Sequence, residues 1–563
     1  MSQLEFDTVI VGAGSAGCLL ANRLSAQRGH RVLLIEAGGK DDWFWIKIPV
    51  GYLYTIGNPR TDWCYKTAED PGLAGRSIHY ARGKVIGGCS SINAMIYMRG
   101  QATDYDRWAE ATGDDRWRWQ GEAGQTLEIY KSLENFFGGA NAWHGTGGEM
   151  RVESPRVKWR ILDAWQRAAA EQGIESIAEF NRGDNAGCAY FHVTQARGRR
   201  WSMADAFLHP ITHRQNLVVW TNTQVLGIGL EENRERRSTD KGAWAQAQHR
   251  ARTIQVIQGG QRIEVRARKQ IILAAGAIGT PQLLQASGIG PAALLSEMQV
   301  PVVADLPGVG ENLQDHLQIR TVFKVQGART VNSLYSNPLT RFGMAAQYFL
   351  SRTGPMTMPP STLGAFAKSS PEEASADLEW HVQPLSLPKF GEPLHSFDAI
   401  TPSVCNLRPS SRGSVRIQHP DPLTPPAIQC NYLSTEDDLR KAVRGLGLTR
   451  AIMASPALAS FSPEEYLPGP EKTSEADLQQ AARELGTTIF HPVGTCAMGR
   501  VSETGECADS ATVLDTSFRL RGVAGLRVVD ASAMPTITSG NTNAPVMLLA
   551  EQAARDILQQ EAG

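Results

Sequence analysis

The sequence predicts an α/β protein whose core is a parallel sheet, and three observations carry that reading. An apolar run near the N-terminus, Phe6-Asp7-Thr8-Val9-Ile10-Val11, has the character of a buried strand. It runs straight into Gly12-Ala13-Gly14-Ser15-Ala16-Gly17, a G-x-G-x-x-G that opens a helix of small and apolar residues from Ala16 to Leu24. A second apolar run, Arg31 to Ile35, then ends in an acid, Glu36. Strand, glycine loop, helix, strand and acid in that order form a dinucleotide-binding unit.

Each part has a physical job. Gly12 permits the tight turn, Gly14 lets the backbone approach a pyrophosphate, and Gly17 lets the helix pack on the strand. The free N–H groups at the helix start favour an anion, and Glu36 is placed to accept hydrogen bonds from an adenosine ribose. Further parallel-sheet signals cluster at residues 218–275 and 525–560, including a buried strand from Gln270 to Ala275 that turns into another glycine-rich helix start. The stretch from about 313 to 487 is Pro-rich and polar, contains aromatics, and lacks glycine phosphate loops, so it reads as a separate domain. With 563 residues the chain is long enough for two or more units.

Composition removes several functions. The formal net charge is −1 and no dense basic stripe occurs, which gives no electrostatic ground for nucleic acid binding. Arg234 to Arg237, Lys241 and His249 to Arg252 read as a solvated hairpin excursion, and Trp117 and Trp119, between arginines, as packing near a domain junction rather than a base-stacking surface. The 8 cysteines show no C-x-x-C pair or other metal spacing, so no metal site is expected. Neither an N-terminal signal nor an apolar run of about 18 residues is present. The expectation is a cytoplasmic protein, with association to the inner membrane surface left open.

Two glycine-rich blocks and two polar residues carry the chemistry. Arg82-Gly83-Lys84-Val85-Ile86-Gly87-Gly88-Cys89-Ser90-Ser91-Ile92-Asn93-Ala94-Met95 is dense in small residues, as a backbone held close to a flat polar group would be. Gly276 to Gly290 forms the second block. Near the C-terminus, His491 lies in Phe490-His491-Pro492-Val493-Gly494-Thr495 and Asn541 in Gly540-Asn541-Thr542-Asn543. Together with Pro307 to His316 and Val528 to Pro535, these motifs resemble, end to end and in order, the glucose–methanol–choline (GMC) family of FAD oxidoreductases. The similarity is strongest to its bacterial choline dehydrogenase-type and aliphatic-alcohol members. Cys89 is the one departure in the first block, where Gly, Ser or Thr is usual.

The resemblance implies a doubly wound FAD-binding domain (1–154, 216–312 and 488–563) and a substrate domain with an antiparallel sheet (155–215 and 313–487). It places Gly12, Gly14, Ser15 and Ala16 at the pyrophosphate and Glu36 at the ribose, with Ala37, Val85 and Gly88 also beside the cofactor. Asn93, Ala94 and Met95 fall beside the isoalloxazine, Val225 near the adenine, and Asp530 and Ala531 near the ribityl chain, with Asn541 and Thr542 closing the site. Ile92 stands where some members attach FAD through His, so non-covalent FAD is expected.

The reaction it implies is oxidation of a primary alcohol to an aldehyde by hydride transfer to flavin N5. His491, whose unperturbed pKa of about 6.5 suits a base near neutrality, takes the hydroxyl proton. Asn541 supports alkoxide character in the transition state, and the C-terminal helix from about Ala544 to Gln560 aims its positive end at the flavin. Electrons pass to a quinone or another carrier. The alternatives are an oxidase that makes H2O2 from O2, a hydroxynitrile lyase-type enzyme of the same fold, and a flavin binder without catalysis. His316 reads as structural, His381 as a strand residue that could line the pocket, and Gly354 to Pro360 as a stiff loop that is either a pocket wall or a surface connection.

Overall fold

Strand β1 (Leu4–Val11) is buried from Phe6 onward and lies between two parallel neighbours, which is why its last residues, Val9 to Val11, are continuously apolar. The computed structural model describes residues 4–562 apart from 235, 236, 238, 239, 389–391 and 508. Helix α1 (Ser15–Leu24) follows, then β2 (Val32–Ile35), whose Leu33 and Leu34 pair with Val9 and Ile10. Strand β3 (Leu217–Trp220) extends the parallel edge beyond β2. On the other side a meander of β4 (Thr223–Glu232), β5 (His249–Gln258) and β6 (Gln261–Leu273) brings β6 back parallel to β1.

Strand β6 is shared. Its first half pairs with β5, and its last residues, Ile271–Leu273, pair in parallel with Leu526–Val528. Helix α2 (Gly276–Ala286) leaves from its end. The basic run His249–Arg252 was expected in a solvated excursion, and here the structure differs. It opens β5, and Arg250 is buried against the Asp240 carboxylate, because only a paired guanidinium is tolerated inside. Of the neighbouring run, Glu235 and Arg236 lie outside the described residues. Trp117 and Trp119 are buried in the core beneath this sheet, with Trp117 edge-on to Trp108 at 5.6 Å.

The second sheet is antiparallel. It contains β7 (Leu317–Arg320), β8 (Val322–Lys324), β9 (Leu363–Ala367), β10 (Leu378–Gln383) and β11 (Ala399–Asn406), with Gly187–Tyr190 at one edge and Glu464–Leu467 at the other. Helix α3 (Glu436–Met453), capped by the Thr435 hydroxyl, packs against β11. The next helix, α4 (Glu475–Leu485), begins in a Ser474/Asp477 capping box and leads into β12 (Gly486–Thr488), which pairs with β7. The chain closes with α5 (Asn543–Ala562), which packs along α1. Two large apolar cores result, one around each sheet.

Lys47, Asp41, Asp205 and His209 tie the segment after β2 to the turn Ala204–Leu208. Lys47 Nζ donates to Asp41 at 2.6 Å and to Asp205 at 2.8 Å, and His209 Nε2 lies 3.0 Å from Asp41. Hydrogen bonds to Asp205 and Asp41 push the His209 imidazole up to about 9. A raised histidine stabilises fully below its unfolded pKa of about 6.5, and the benefit is lost as pH climbs through the folded value. The wild type should therefore melt above His209→Gln near pH 6 and lose that advantage by about pH 10. An equal margin at both ends of the range would contradict the assignment.

Candidate active site

A cleft with about 2110 Å3 of atom-free space, its open mouth included, runs from the start of α1 to the inner face of the antiparallel sheet. At one end, Gly14 caps α1 with no side-chain hydrogen bond, so the first-turn N–H groups are left for an anion. Two close approaches explain the glycines around it. A Cβ on Gly17 would sit 1.9 Å from the Gly12 carbonyl oxygen, and one on Gly88 would sit 2.7 Å from Gly14 Cα. The first glycine block thus backs onto the dinucleotide loop instead of only facing a ligand.

Glu36 ends β2 with both oxygens engaged: Oε2 accepts from Ala13 N at 3.0 Å and Oε1 from Gly38 N at 2.8 Å. Burial pushes its carboxyl up to about 7, against the pull of those two N–H groups. Asp530 is more fully engaged, whereas Glu36 keeps acceptor capacity. It accepts from Gly276 N at 2.8 Å and Thr280 Oγ1 at 2.6 Å through one oxygen, and from Ser532 N and Oγ through the other. Burial raises its carboxyl too. These are the only carboxylates among the residues that line the cleft.

Midway, Asn93 Oδ1 accepts from Met95 N and from Arg200 Nη1, both at 2.9 Å. Those bonds hold Met95 in the left-handed region at φ 60, a conformation costly for a side chain and tolerated where a site requires it. Arg200 is fully buried, also donates to the carbonyls of Ile46 and Ser90, and is pulled down to about 9 by burial.

At the far end the two polar residues converge. Asn541 Nδ2 lies 3.0 Å from His491 Nε2, although 50 residues separate them. His491 Nδ1 lies 3.0 Å from His316 Nδ1, and His316 Nε2 lies 2.9 Å from the Leu407 carbonyl oxygen. A carbonyl only accepts, so His316 must carry its proton on Nε2 and present a bare Nδ1. His491 then donates from Nδ1, and its Nε2 lone pair faces Asn541 and the cleft. Burial, with His316, His381 and Arg82 around it, holds the His491 imidazole well below the usual histidine range.

The Asp315 carboxylate fixes the backbone at both histidines. Oδ1 accepts from the backbone N of His316 at 2.9 Å and of His491 at 2.7 Å, while Oδ2 accepts from Tyr80, Tyr432 and Thr488 hydroxyls. Thr488 Oγ1 also accepts from Phe490 N at 2.7 Å, and Phe490 is left-handed at φ 67, so the turn that presents His491 is held against local strain.

Gly12, Gly14, Ser15, Ala16, Glu36, Ala37, Gly88, Asn93, Ala94, Met95, Val225, Asp530, Ala531, Asn541, Thr542 and His491 all line the cleft. Val85 is not among the lining residues. Its side chain is buried, and its carbonyl accepts from Gly88 N at 2.7 Å to hold the turn. His381 lines the cleft from β10, and Pro360 makes the end of the stiff loop part of the wall. Sequence reasoning missed the roles of Asp315 and Arg82. The pair Asp315-His316 at the end of a glycine-rich motif was the available signal, but a buried carboxylate shared by five donors leaves no periodic trace. Arg82 lines the cleft and donates through Nη2 to the Phe490 carbonyl at 2.5 Å.

The cleft fits a dinucleotide flavin in chemistry as well as size. An uncapped helix start, an acid at the end of β2, and a buried Asn541 Oδ1 without a partner leave acceptors and donors for a bound group. Among the described residues, two groups of metal-capable side chains occur, Asp62/Cys64/His79 and Asp41/Asp205/His209. The second is bridged by the Lys47 ammonium, and Asp62 already accepts from the N–H groups of Gly57, Cys64 and Arg82.

Comparison with known proteins agrees. The GMC oxidoreductase profiles match residues 6–318 and 409–550. The chain is 36% identical to "Alcohol dehydrogenase [acceptor]" of Pseudomonas putida, covering 99% of this chain and 96% of that one. It is 35% identical to mitochondrial choline dehydrogenase of Homo sapiens, covering 100% and 91%. Among solved structures, pyridoxine 4-oxidase from "Mesorbium loti" superposes with a TM-score of 0.85 at 32% identity, covering 98% and 99%. With profile, relatives and the His491–Asn541 cleft in accord, the chain belongs to the GMC oxidoreductase family.

Proposed function

We propose that this protein is a dehydrogenase that oxidises a neutral primary alcohol to its aldehyde, with His491 as the base and a quinone or similar carrier as the final electron acceptor. As a family member it is an FAD-dependent oxidoreductase acting on CH–OH donors. The observation that carries the finer reading is the pairing of Asn541 Nδ2 with His491 Nε2 at the reactive end of the cleft.

FAD, when bound, supplies the acceptor for the hydride that leaves the carbinol carbon. The chain supplies the rest. An alcohol oxygen set against both groups donates its proton to the bare Nε2 of His491 and accepts from the Asn541 amide, so negative charge on oxygen is stabilised as it develops. His316 keeps the base in the required tautomer, and the buried Leu407 carbonyl keeps His316 so. Gly12 to Ala16 would hold the pyrophosphate, Glu36 the ribose, and Asn93 to Met95 the ring system. Ile92 offers no nucleophile for a covalent link, which supports dissociable FAD.

Electrostatics select the substrate. The reactive end is walled by Trp63, Tyr65, Ile489, Phe490 and Pro360, with Gln318, Gln383 and Ser361 as neutral polar groups. The cleft has no carboxylate at this end, Arg82 lines it, and Lys84 Nζ already lies 4.6 Å from the Trp63 ring centre. A quaternary ammonium would meet no carboxylate in the wall itself, since Glu379 lies behind His381, and a ring face already taken by a cation. An aliphatic or aromatic neutral alcohol suits these walls better than choline. The alcohol dehydrogenase relative that passes electrons to an acceptor favours the carrier reading, whereas the pyridoxine 4-oxidase structure favours O2. For the carrier reading we place the protein at the cytoplasmic side of a membrane. No helix among the described residues is long and apolar enough to cross one.

Primary alcohols added anaerobically should bleach the flavin, and admitted air should restore the colour only slowly; rapid recolouring identifies an oxidase, and a flavin that stays yellow removes alcohol oxidation altogether. His491→Ala should retain FAD and reduce it about 100 to 10,000 times more slowly, and near-native reduction would refute the base. Because the His491 imidazole is depressed, the wild-type reduction rate should be flat from neutrality upward and fall in acid through a pKa below 6.5. An acid limb centred above neutrality would contradict this. Acid precipitation should release the yellow colour into the supernatant, and a yellow pellet would show covalent FAD.

A further inference from the structure

The helix Pro338–Ser351 has no reason to exist on its own chain's account. Its ends are well made: Asn337 caps Leu339 N, Pro338 takes the first turn, and Arg352 closes it in the left-handed region at φ 56. Yet Tyr348 is the only buried residue along its length. Leu339 is 81% exposed, Phe342 75%, Phe349 59% and Leu350 87%. These recur at helical spacing and form one apolar stripe facing outward. A helix of 14 residues is marginal in water without a packed face, so this stripe requires a partner.

The surroundings identify the partner's chemistry. From His316 to Pro371 the chain has no Asp or Glu at all. The exposed cations Arg329 and Arg341, and Arg352 at the helix end, make no ion pair among the described residues. Arg341 lies 5.2 Å over the Tyr335 ring, and Tyr335 is in hydrogen-bonding contact with Tyr54, so exposed tyrosines border the stripe. Apolar anchors, bordering tyrosines and arginines without ion pairs match the depth profile of an anionic bilayer: acyl boundary, interface and headgroup. A protein partner would need none of that layering. The helix is continuous through Gly354 and Pro355–Thr357 with Pro360 and Ser361, which line the reactive cleft.

We propose that Pro338–Ser351 lies in the plane of an anionic lipid surface and docks the protein there with the cleft wall beside the membrane. The docking goes beyond the catalytic reading and does not depend on it. The test uses the full-length FAD-loaded protein in a flotation assay with vesicles of phosphatidylcholine alone or mixed with phosphatidylglycerol. The wild type should float with the mixed vesicles and more weakly with phosphatidylcholine alone. Leu339→Gln combined with Phe342→Gln and Leu350→Gln should bind about tenfold or more weakly. That variant should keep its yellow colour and its alcohol turnover with a soluble dye acceptor, which reads folding and catalysis separately from docking. Arg329→Gln with Arg341→Gln should lose the preference for anionic vesicles while retaining dye turnover. The proposal is overturned if the wild type stays unbound on both vesicles, or if the triple variant floats equally well. It also falls if the wild type sediments as a dimer that the triple substitution splits while neither form floats, because the stripe then serves a second copy.

Discussion

The Asp315 carboxylate accepts hydrogen bonds from five groups that come from four stretches of the chain, and the reactive end of the cleft depends on that junction. Bonds to an ionised acceptor contribute about 1.5–3 kcal/mol each, and leaving a charge of this kind unpaired inside costs more. The junction therefore sets where Tyr80 just ahead of the first glycine block, Tyr432 from the substrate side, and the turn Thr488–His491 must meet. Only with that turn fixed can Phe490 keep its left-handed backbone and His491 face Asn541. The imidazole at the end of this chain of constraints is held neutral by burial and held in one tautomer by His316, two separate conditions that a base needs.

The cleft lining is sparse in charge. Its two carboxylates, Glu36 and Asp530, accept from backbone and hydroxyl donors, and Arg82, two histidines and neutral amides make up much of the remaining polar lining. The stretch His316–Pro371, which carries the helix Pro338–Ser351, contains no Asp or Glu of its own.

Much of this arrangement was legible in the residues. The unit from β1 to Glu36 announced itself because a parallel strand buried on both faces has no alternation to hide it, and because a glycine loop has few other uses. The end of β6 and the start of α2 were readable for the same reason. The basic run at His249 was misread because its strand borrows Asp240 to neutralise Arg250, a pairing invisible to local composition. Val85, expected beside the cofactor from the resemblance, ties its turn through a backbone carbonyl, which any residue could supply. Asp315 falls inside the motif Pro307 to His316 with no visible role, since a carboxylate shared by distant donors is defined by three-dimensional convergence alone. The exposed stripe on Pro338–Ser351 escaped for the opposite reason: an apolar helical repeat reads as core until the structure shows nothing packed on it.

The central claim is that His491 and Asn541 act on one alcohol oxygen as a unit, and a double-substitution cycle on the anaerobic flavin-reduction rate measures that directly. Groups that act together are strongly non-additive. The account predicts that His491→Ala combined with Asn541→Ala reduces flavin within a few-fold of His491→Ala alone. If the two losses instead multiply, each residue works independently and the shared-oxygen geometry is wrong.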